Sequence, residues 1–356
     1  MIRLSASPAD LERAAGIIKA GGIVAFPTET VYGLGADAFN TQALARVFEA
    51  KGRPRFDPLI IHIAGMEGLY RIADFAALSP GNITLLEKCA AAFWPGPLTF
   101  VIPKGPEVPD LATAGLPAAA VRFPSHPAAR ELIRLTGLAV AAPSANPFGR
   151  LSPTRAEHVI ESLGEKIDAV VDGGPCSVGV ESTVLDISGE VPRILRPGGI
   201  SREQLEALIG PVFGAASGPV PSALTSAAPS PGMLKSHYAP NIPLVLHSPE
   251  EMAALPFSPD EGFLFFSGKN RDLWLQRNHR EGTACCIALS KKGDTMEAAA
   301  NLFDCLHRLD NAETLPEEGF PFRGHPGLRR IHAETLPEEG LGAAVNDRLR
   351  RAAALS

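Results

Sequence analysis

The chain has 356 residues and a formal net charge of −6, with 45% hydrophobic and 20% charged residues. This is an ordinary globular balance, enough for two domains of roughly 150 residues and a large buried core. It excludes a chain that binds nucleic acid by bulk positive charge, and no run approaches the roughly 20 apolar residues that span a bilayer.

The N-terminus has no basic stretch leading into an apolar run, so no secretory signal is expected and a cytoplasmic location is. Ser7 is placed to cap a helix that has Pro8 at its first position, and Leu11, Ala14, Ala15 and Ile18 recur at helical spacing. Gly21 and Gly22 end it. Ile23–Phe26 then reads as a buried strand stopped by Pro27. Further strands are expected at Leu59–Ile63, Leu98–Ile102, Ala119–Phe123, Leu138–Ala142, Ala169–Asp172, Thr183–Ile187 and Arg193–Leu195. Helices are expected between them at Gln42–Ala50, Ile83–Phe93, Pro127–Leu135, Thr154–Leu163 and Arg202–Ile209. The alternation predicts an α/β domain over 1–209, a twisted mixed sheet with flanking helices, with its last two strands in a hairpin across Ser188–Pro192.

Residues 210–241 are rich in Pro, Ala, Ser and Gly without periodicity and read as a linker. A second, smaller α/β pattern follows over 242–356, of Rossmann-like type. Its strands are expected at Leu244–Leu246, Gly262–Phe266 and Cys285–Leu289, and its helices at Met296–Leu309 and Val345–Ala352. The octapeptide AETLPEEG occurs at Ala312–Gly319 and again at Ala333–Gly340. Two copies do not make a solenoid, so a local duplication is expected, with 311–327 as an inserted loop.

Several chemistries are disfavoured. The five cysteines include no CxxC, and the nine histidines no HExxH, so neither a disulfide framework nor a zinc site is expected. There is no GxxxxGK[ST] and no GxSxG. Gly33-Leu34-Gly35 with Ala38 fits GxGxxA, yet the preceding strand ends seven residues earlier and Phe39-Asn40 interrupts the helix such a motif requires.

What remains is a set of polar segments at the ends of strands and helices. Pro27–Gly35 follows a buried strand directly, where open α/β sheets bind ligands. Lys51 and Arg53 lie at a helix end, two residues apart in an extended segment where they would share a side, and suit phosphate. As helix C-terminal cations they equally balance the macrodipole. Asp57 and His62 come next, His62 within the apolar run Leu-Ile-Ile-His-Ile. Ser144 and Asn146 stand between Pro143 and Pro147 at another strand exit, where they would project together. Two glycine-containing segments, one leading to Glu181-Ser182-Thr183 and one at Arg196-Pro197-Gly198-Gly199, complete the set.

In order and spacing, GGIVAFPTETVYGLGADA, KGRPRFDPLIIHI, WPGPLTFVIPK, AVRFPSHP, APSANPFGRLSPT, GVESTVLDI and ILRPGGIS closely resemble the YrdC-like family. Ser230–Met233 with His237–Pro240 resembles the linker of its long, two-domain members, the threonylcarbamoyl-AMP synthases. The resemblance covers 7–241 strongly and the remainder more loosely; the extra octapeptide copy departs from it. It implies a nucleotidyltransferase that makes threonylcarbamoyl-AMP and pyrophosphate from L-threonine, bicarbonate or CO2, and ATP, for N6-threonylcarbamoyladenosine in tRNA. Lys51, Arg53, Ser144 and Asn146 match the family's Lys-x-Arg and Ser-x-Asn signature at the catalytic centre. Thr30, His62, Arg122, Ala142 and Ser182 are implied on the L-threonine side, with Arg122 on the carboxylate. Arg53, Asp57, Ala118, Ser144, Ser152, Arg196 and Tyr238 are implied on the ATP side, with the linker as cover and Tyr238 as its anchor. No protein-held metal is implied; Mg2+ is expected through the ATP phosphates and water. The product is expected to pass to a tRNA-modifying transferase complex, with weak tRNA contact and no membrane partner. Carbamoyl transfer in hydrogenase maturation is the competing enzymatic reading, weakened by the lack of CxxC motifs. A purely RNA-binding module is weakened by the acidic balance.

Overall fold

The computed structural model describes residues 1–214, 237–280, 285–311 and 328–354. They group into two compact units, Met1–Phe148 with Ser152–Leu234, and Gly149–Leu151 with Lys235–Ser356. The expected cover across most of 210–241 and the inserted loop at 311–327 lie largely outside the described residues.

The larger unit carries β1 (Ile2–Ser5), β2 (Val24–Phe26), β3 (Gly33–Asp37), β4 (Ile60–His62), β5 (Leu98–Pro103) and β6 (Ala118–Arg122). After these come β7 (Val140–Ala141), β8 (Ala169–Asp172), β9 (Thr183–Asp186), β10 (Arg193–Arg196) and β11 (Phe213–Gly214). They form one mixed sheet in the order β1-β8-β2-β3-β7-β4-β6-β5-β9-β10-β11. Its helices are α1 (Pro8–Lys19), α2 (Thr41–Lys51), α3 (Pro80–Phe93), α4 (Asp110–Thr113), α5 (Pro127–Thr136), α6 (Ala156–Leu163) and α7 (Arg202–Ile209). Ser7 caps α1 through the Asp10 N–H, and β9 and β10 pair antiparallel as the hairpin reading requires.

Side-chain alternation assigns the two faces of this sheet. Ile61, Phe100, Val121 and Leu185 face a core with Leu44, Val47, Leu86 and Val159 from α2, α3 and α6. On the other face Val24, Phe26, Val140 and Val171 pack on Leu11 and Ile18 of α1 and Leu132 of α5. Further along that face lies a smaller apolar cluster of Ile60, Val101, Ala120, Val184 and Leu195. The strand residues one pleat beyond these apolar ones are polar: His62, Arg122 and Thr99 stand in register across β4, β6 and β5.

The segment that fits GxGxxA is strand β3, which the sequence reading did not place. Its glycines serve packing. A Cβ on Gly35 would stand 2.6 Å from Phe26 Cε1 and 2.9 Å from Val140 Cγ1.

The smaller unit has β12 (Leu244–His247), β13 (Glu261–Ser267), β14 (Cys286–Ser290) and β15 (Arg330–Glu334), all parallel, in the order β12-β15-β13-β14. Its helices α8 (Pro249–Ala254) and α9 (Gly268–Arg277) pack together, as do α10 (Thr295–Asp310) and α11 (Gly342–Ala353). The second octapeptide copy begins inside β15. All five cysteines are free and buried, and among the described residues no helix is long and apolar enough to cross a membrane.

Gly35→Ala is expected to lower the unfolding free energy by about 1–3 kcal/mol, the usual cost of overpacking. Phe26→Leu in the same chain should recover part of that loss in urea denaturation. A single mutant as stable as the parent would show that the β2–β3 approach is not close.

Candidate active site

Arg122 ends β6 in the middle of the sheet and is 3% exposed. Three groups hold it. Glu29, in the loop after β2, pairs with Nη2 at 2.7 Å. Thr30 Oγ1 accepts from Nη1 at 2.8 Å, and the Gly96 carbonyl accepts from Nε at 3.3 Å. Glu29 is itself fixed by the Ser125 N–H at 3.1 Å. Burial alone would raise the Glu29 carboxyl, but the charge and hydrogen bonding of Arg122 hold it below the usual value. A guanidinium has five N–H donors, so each Nη of Arg122 keeps a second N–H for a ligand.

The loop that brings Glu29 and Thr30 here is self-capped. Thr28 Oγ1 donates to the Val31 carbonyl at 2.6 Å and accepts from the Thr30 and Val31 N–H groups. His62, opposite Arg122 on β4, is buried, with Nδ1 3.2 Å from the Ile60 carbonyl and its ring edge-on to Phe26. Burial, then the charge of Arg122, pushes its pKa down to about 3. It is a neutral imidazole beside an ion pair.

On the far side of Arg122, Thr99 Oγ1 lies 2.7 Å from Ser182 Oγ. Arg196, at the end of β10, donates from Nη2 to the Ser182 carbonyl at 2.9 Å and to its hydroxyl at 3.2 Å. Ser152 donates to Glu181 at 2.6 Å, fixing the residue before Ser182.

Lys51 and Arg53 do not share a side of an extended segment, as the spacing suggested. Gly52 between them caps α2 in the left-handed region at φ +60°. Lys51 is the last helical residue and Arg53 the first beyond the turn, and both point inward, 3% and 7% exposed. Lys51 Nζ donates to the backbone carbonyls of Ser144 and Asn146, each at 2.5 Å. The lysine therefore binds the backbone of the Ser-x-Asn segment, not its side chains. Asn146 donates Nδ2 to the Pro147 carbonyl, and among the described residues nothing bonds the Ser144 hydroxyl. The loop is further held where Ser144 bridges Gly33 and where Ala142 N–H donates to the Ile60 carbonyl.

Arg53 pairs with the fully buried Asp57 at 2.9 Å and donates to the Asp57 and Pro58 carbonyls. Burial pushes the Asp57 carboxyl up, against the charges of Arg53, Lys51 and Arg196. Burial, then the charge of Arg53, pushes the Lys51 amine well down. Arg196 thus joins the two halves: it bonds Ser182 on the Arg122 side and acts electrostatically on Asp57 beside Lys51.

The unit therefore brings together Thr30, Lys51, Arg53, Asp57, His62, Arg122, Ala142, Ser144, Asn146, Ser152, Ser182 and Arg196. Ala118 opens β6 beside the small apolar cluster, four residues before Arg122. Tyr238, read from the sequence as part of the linker, belongs to the smaller unit. It is 2% exposed, its ring 5.7 Å from that of Phe303 and 5.4 Å from the Arg348 guanidinium. Glu29, Thr99 and Glu181 were not singled out by the sequence. An acid directly after a buried strand was the available signal for Glu29. Among the described residues no group of three or more His, Cys, Asp or Glu is placed to hold a metal ion.

A mixed-sheet α/β unit with ligand-binding groups at its strand exits, joined to a parallel α/β unit, is the two-domain YrdC-like architecture. Residues 16–198 match the family model Sua5/YciO/YrdC, described as "Telomere recombination", and 200–354 match "Threonylcarbamoyl-AMP synthase, C-terminal domain". The chain belongs to the threonylcarbamoyl-AMP synthase family. It is 40% identical to threonylcarbamoyl-AMP synthase of Bacillus subtilis, covering 98% of this chain and 94% of that one. It is 41% identical to that of Pyrococcus abyssi, covering 96% and 93%. The crystal structure of P. abyssi Sua5 complexed with L-threonine superposes with a TM-score of 0.80 at 37% identity, covering 99% and 97%.

The neutrality of His62 has a consequence for stability. The unfolded chain takes up a proton near pH 6.5 that the folded state refuses until about pH 3. Stability from this residue is therefore present above pH 6.5 and lost as pH falls, by up to about 1.4 kcal/mol per unit. The loss due to Glu29 sets in as pH falls through the ordinary carboxyl value of about 4.5 and continues below it. His62→Asn should flatten the stability profile between pH 6 and 4.5 in urea titrations. A variant with the parent's slope over that window contradicts the assignment.

Proposed function

We propose that this chain condenses L-threonine, bicarbonate and ATP into threonylcarbamoyl-adenylate, releasing pyrophosphate and water. It acts as a nucleotidyltransferase supplying the N6-threonylcarbamoyladenosine modification of tRNA. The reading rests chiefly on Arg122, a buried guanidinium pre-positioned by Glu29, Thr30 and Gly96 with N–H groups to spare. Such a group takes an amino-acid carboxylate through two parallel hydrogen bonds. The P. abyssi relative, crystallised with L-threonine, supports the same reading.

The chemistry needs no protein nucleophile. The threonine amine takes up CO2, or bicarbonate with loss of water, and becomes an N-carboxylate. One oxygen of that carboxylate attacks the α-phosphorus of ATP. The bond to the bridging oxygen breaks, and pyrophosphate leaves with the electron pair. The protein must bring two anions together, a step that costs Coulomb energy and is offset by fixed positive charge.

Arg53 and Arg196 supply that charge on the nucleotide side, with Asp57 holding Arg53 in place. Lys51 sets the Ser144–Asn146 loop through two carbonyls, and its proton becomes easier to hold once phosphate arrives. The Ser144 hydroxyl is available to a phosphate oxygen. His62, being neutral, adds no charge to compete with Arg122 for the carboxylate. Thr30 and Ser182 border the threonine side through their bonds to Arg122 and Arg196.

This donor set of hydroxyls, guanidiniums and arginine-paired carboxylates fits Mg2+ held mainly by phosphate oxygens and water. When bound, the ion neutralises charge on the phosphates. The product then goes to a transferase that acts on tRNA. Tyr238 is proposed on the nucleotide side, at the end of the linker as cover.

Arg122→Ala is expected to raise the KM for L-threonine by roughly tenfold or more while changing the KM for ATP far less. Steady-state pyrophosphate release against each substrate in turn measures the split. An equal rise in both constants contradicts the carboxylate assignment.

A further inference from the structure

The smaller unit carries a cavity of about 360 Å³ that this reaction does not use. It lies beyond the carboxyl ends of β13 and β15, lined by α8 and α9. Open parallel sheets bind ligands in such crevices, and the volume falls in the range of small-molecule sites. Met252, Leu273 and Trp274 give it apolar walls.

Its polar end is built on Glu334, the last residue of β15, 2% exposed. Oε2 accepts from the Phe266 N–H at 2.8 Å and Oε1 from Asn270 Nδ2 at 2.5 Å. Those two bonds fix the corner between β13 and α9. A carboxylate has about four acceptor positions, so about two remain. Asn270 spends an N–H on Glu334, which leaves its carbonyl oxygen as a further acceptor. Glu250 adds a second carboxylate to the lining, while Arg277 commits Nη1 to the Ala253 carbonyl at 2.8 Å. Acceptors outnumber donors, and Glu250 acts electrostatically on Glu334. Burial, with the charge of Glu250, raises the Glu334 carboxyl above its usual value, an electrostatic cost that a bound cation relieves.

We propose that this cavity binds a small protonated amine carried on an apolar or aromatic body, the ammonium on Glu334 and the body against Leu273 and Trp274. None of the residues that line it is among those placed on the threonine and ATP sides.

The test is calorimetric titration of the full chain with tryptamine, phenethylamine and isoamylamine, with 3-indolepropionate as the acid of matching body. At least one amine should saturate at roughly millimolar affinity or better, and the acid should bind roughly tenfold more weakly or not at all. Glu334→Gln should weaken amine binding roughly tenfold or more. Ala253→Trp, on an exposed residue of the wall, should do the same by filling the space without touching the carboxylate. It covers the case in which the glutamine disturbs the β13–α9 corner. Arg122→Ala should leave amine affinity unchanged, which separates this cavity from the threonine site. The proposal is overturned if none of the three amines binds or if the acid binds as tightly. It is overturned equally if either cavity variant, with an unchanged melting temperature, keeps the parent's affinity, or if the binding disappears in Arg122→Ala.

Discussion

The buried pairing of Arg122 with Glu29 is the constraint on which the rest of the site depends. A guanidinium in the middle of a sheet is tolerated when its charge is balanced and hydrogen bonds hold it in place. Glu29 balances it, and Thr30 and Gly96 take two further donors. Pairs of this kind contribute little net stability compared with apolar residues of the same volume, and breaking one partner is costly. Its value lies in position. A pre-oriented cation can meet a carboxylate without the reorganisation that a flexible surface arginine would need.

From that pair the site extends along the sheet through ordinary register. Thr99 sits opposite Arg122 and bonds Ser182; Ser182 receives Arg196; the charge of Arg196 reaches Asp57. Asp57 holds Arg53, and Lys51 next to it pins the Ser144–Asn146 backbone. Strands β5, β6 and β10, helix α2 and the loops after β2, α2 and β7 and before β9 thus deliver one chain of polar contacts, with Thr99 and Arg122 on one face of the sheet. Neighbouring strand residues point the same way, so one register error would send these side chains to opposite faces. The small apolar cluster of Ile60, Val101, Ala120, Val184 and Leu195, on that same face, fixes the register.

Much of this was legible from residue order. The buried strands of the larger unit and the amphipathic helices announce themselves by period, and the residues of the polar loops are the ones the structure collects. Gly33–Asp37 was not read as a strand, because a strand chosen for close approach to Phe26 carries glycine where sequence reasoning expects β-branched residues. Lys51 and Arg53 were placed together for the wrong geometric reason: the left-handed Gly52 turns them inward, and spacing does not encode that turn. The role of Glu29 cannot be read from spacing, because a counter-ion is recognised by its partner, which lies 93 residues away. In the smaller unit α9, Gly268–Arg277, is mostly polar, and β15 is Arg-Ile-His-Ala-Glu. Neither shows the apolar pattern of its neighbours: α9 buries little besides Trp274 and Leu275 and turns most of its polar residues to water, while β15 buries His332 and Glu334, bonded to His247 and Asn270.

The central claim is that one hollow seats an amino-acid carbamate against the α-phosphate of ATP. Pyrophosphate release from ATP by the full chain, with L-threonine and bicarbonate present together and each omitted in turn, tests it most directly. Release should depend on both, falling to background when either is absent. Undiminished release without L-threonine would contradict the account.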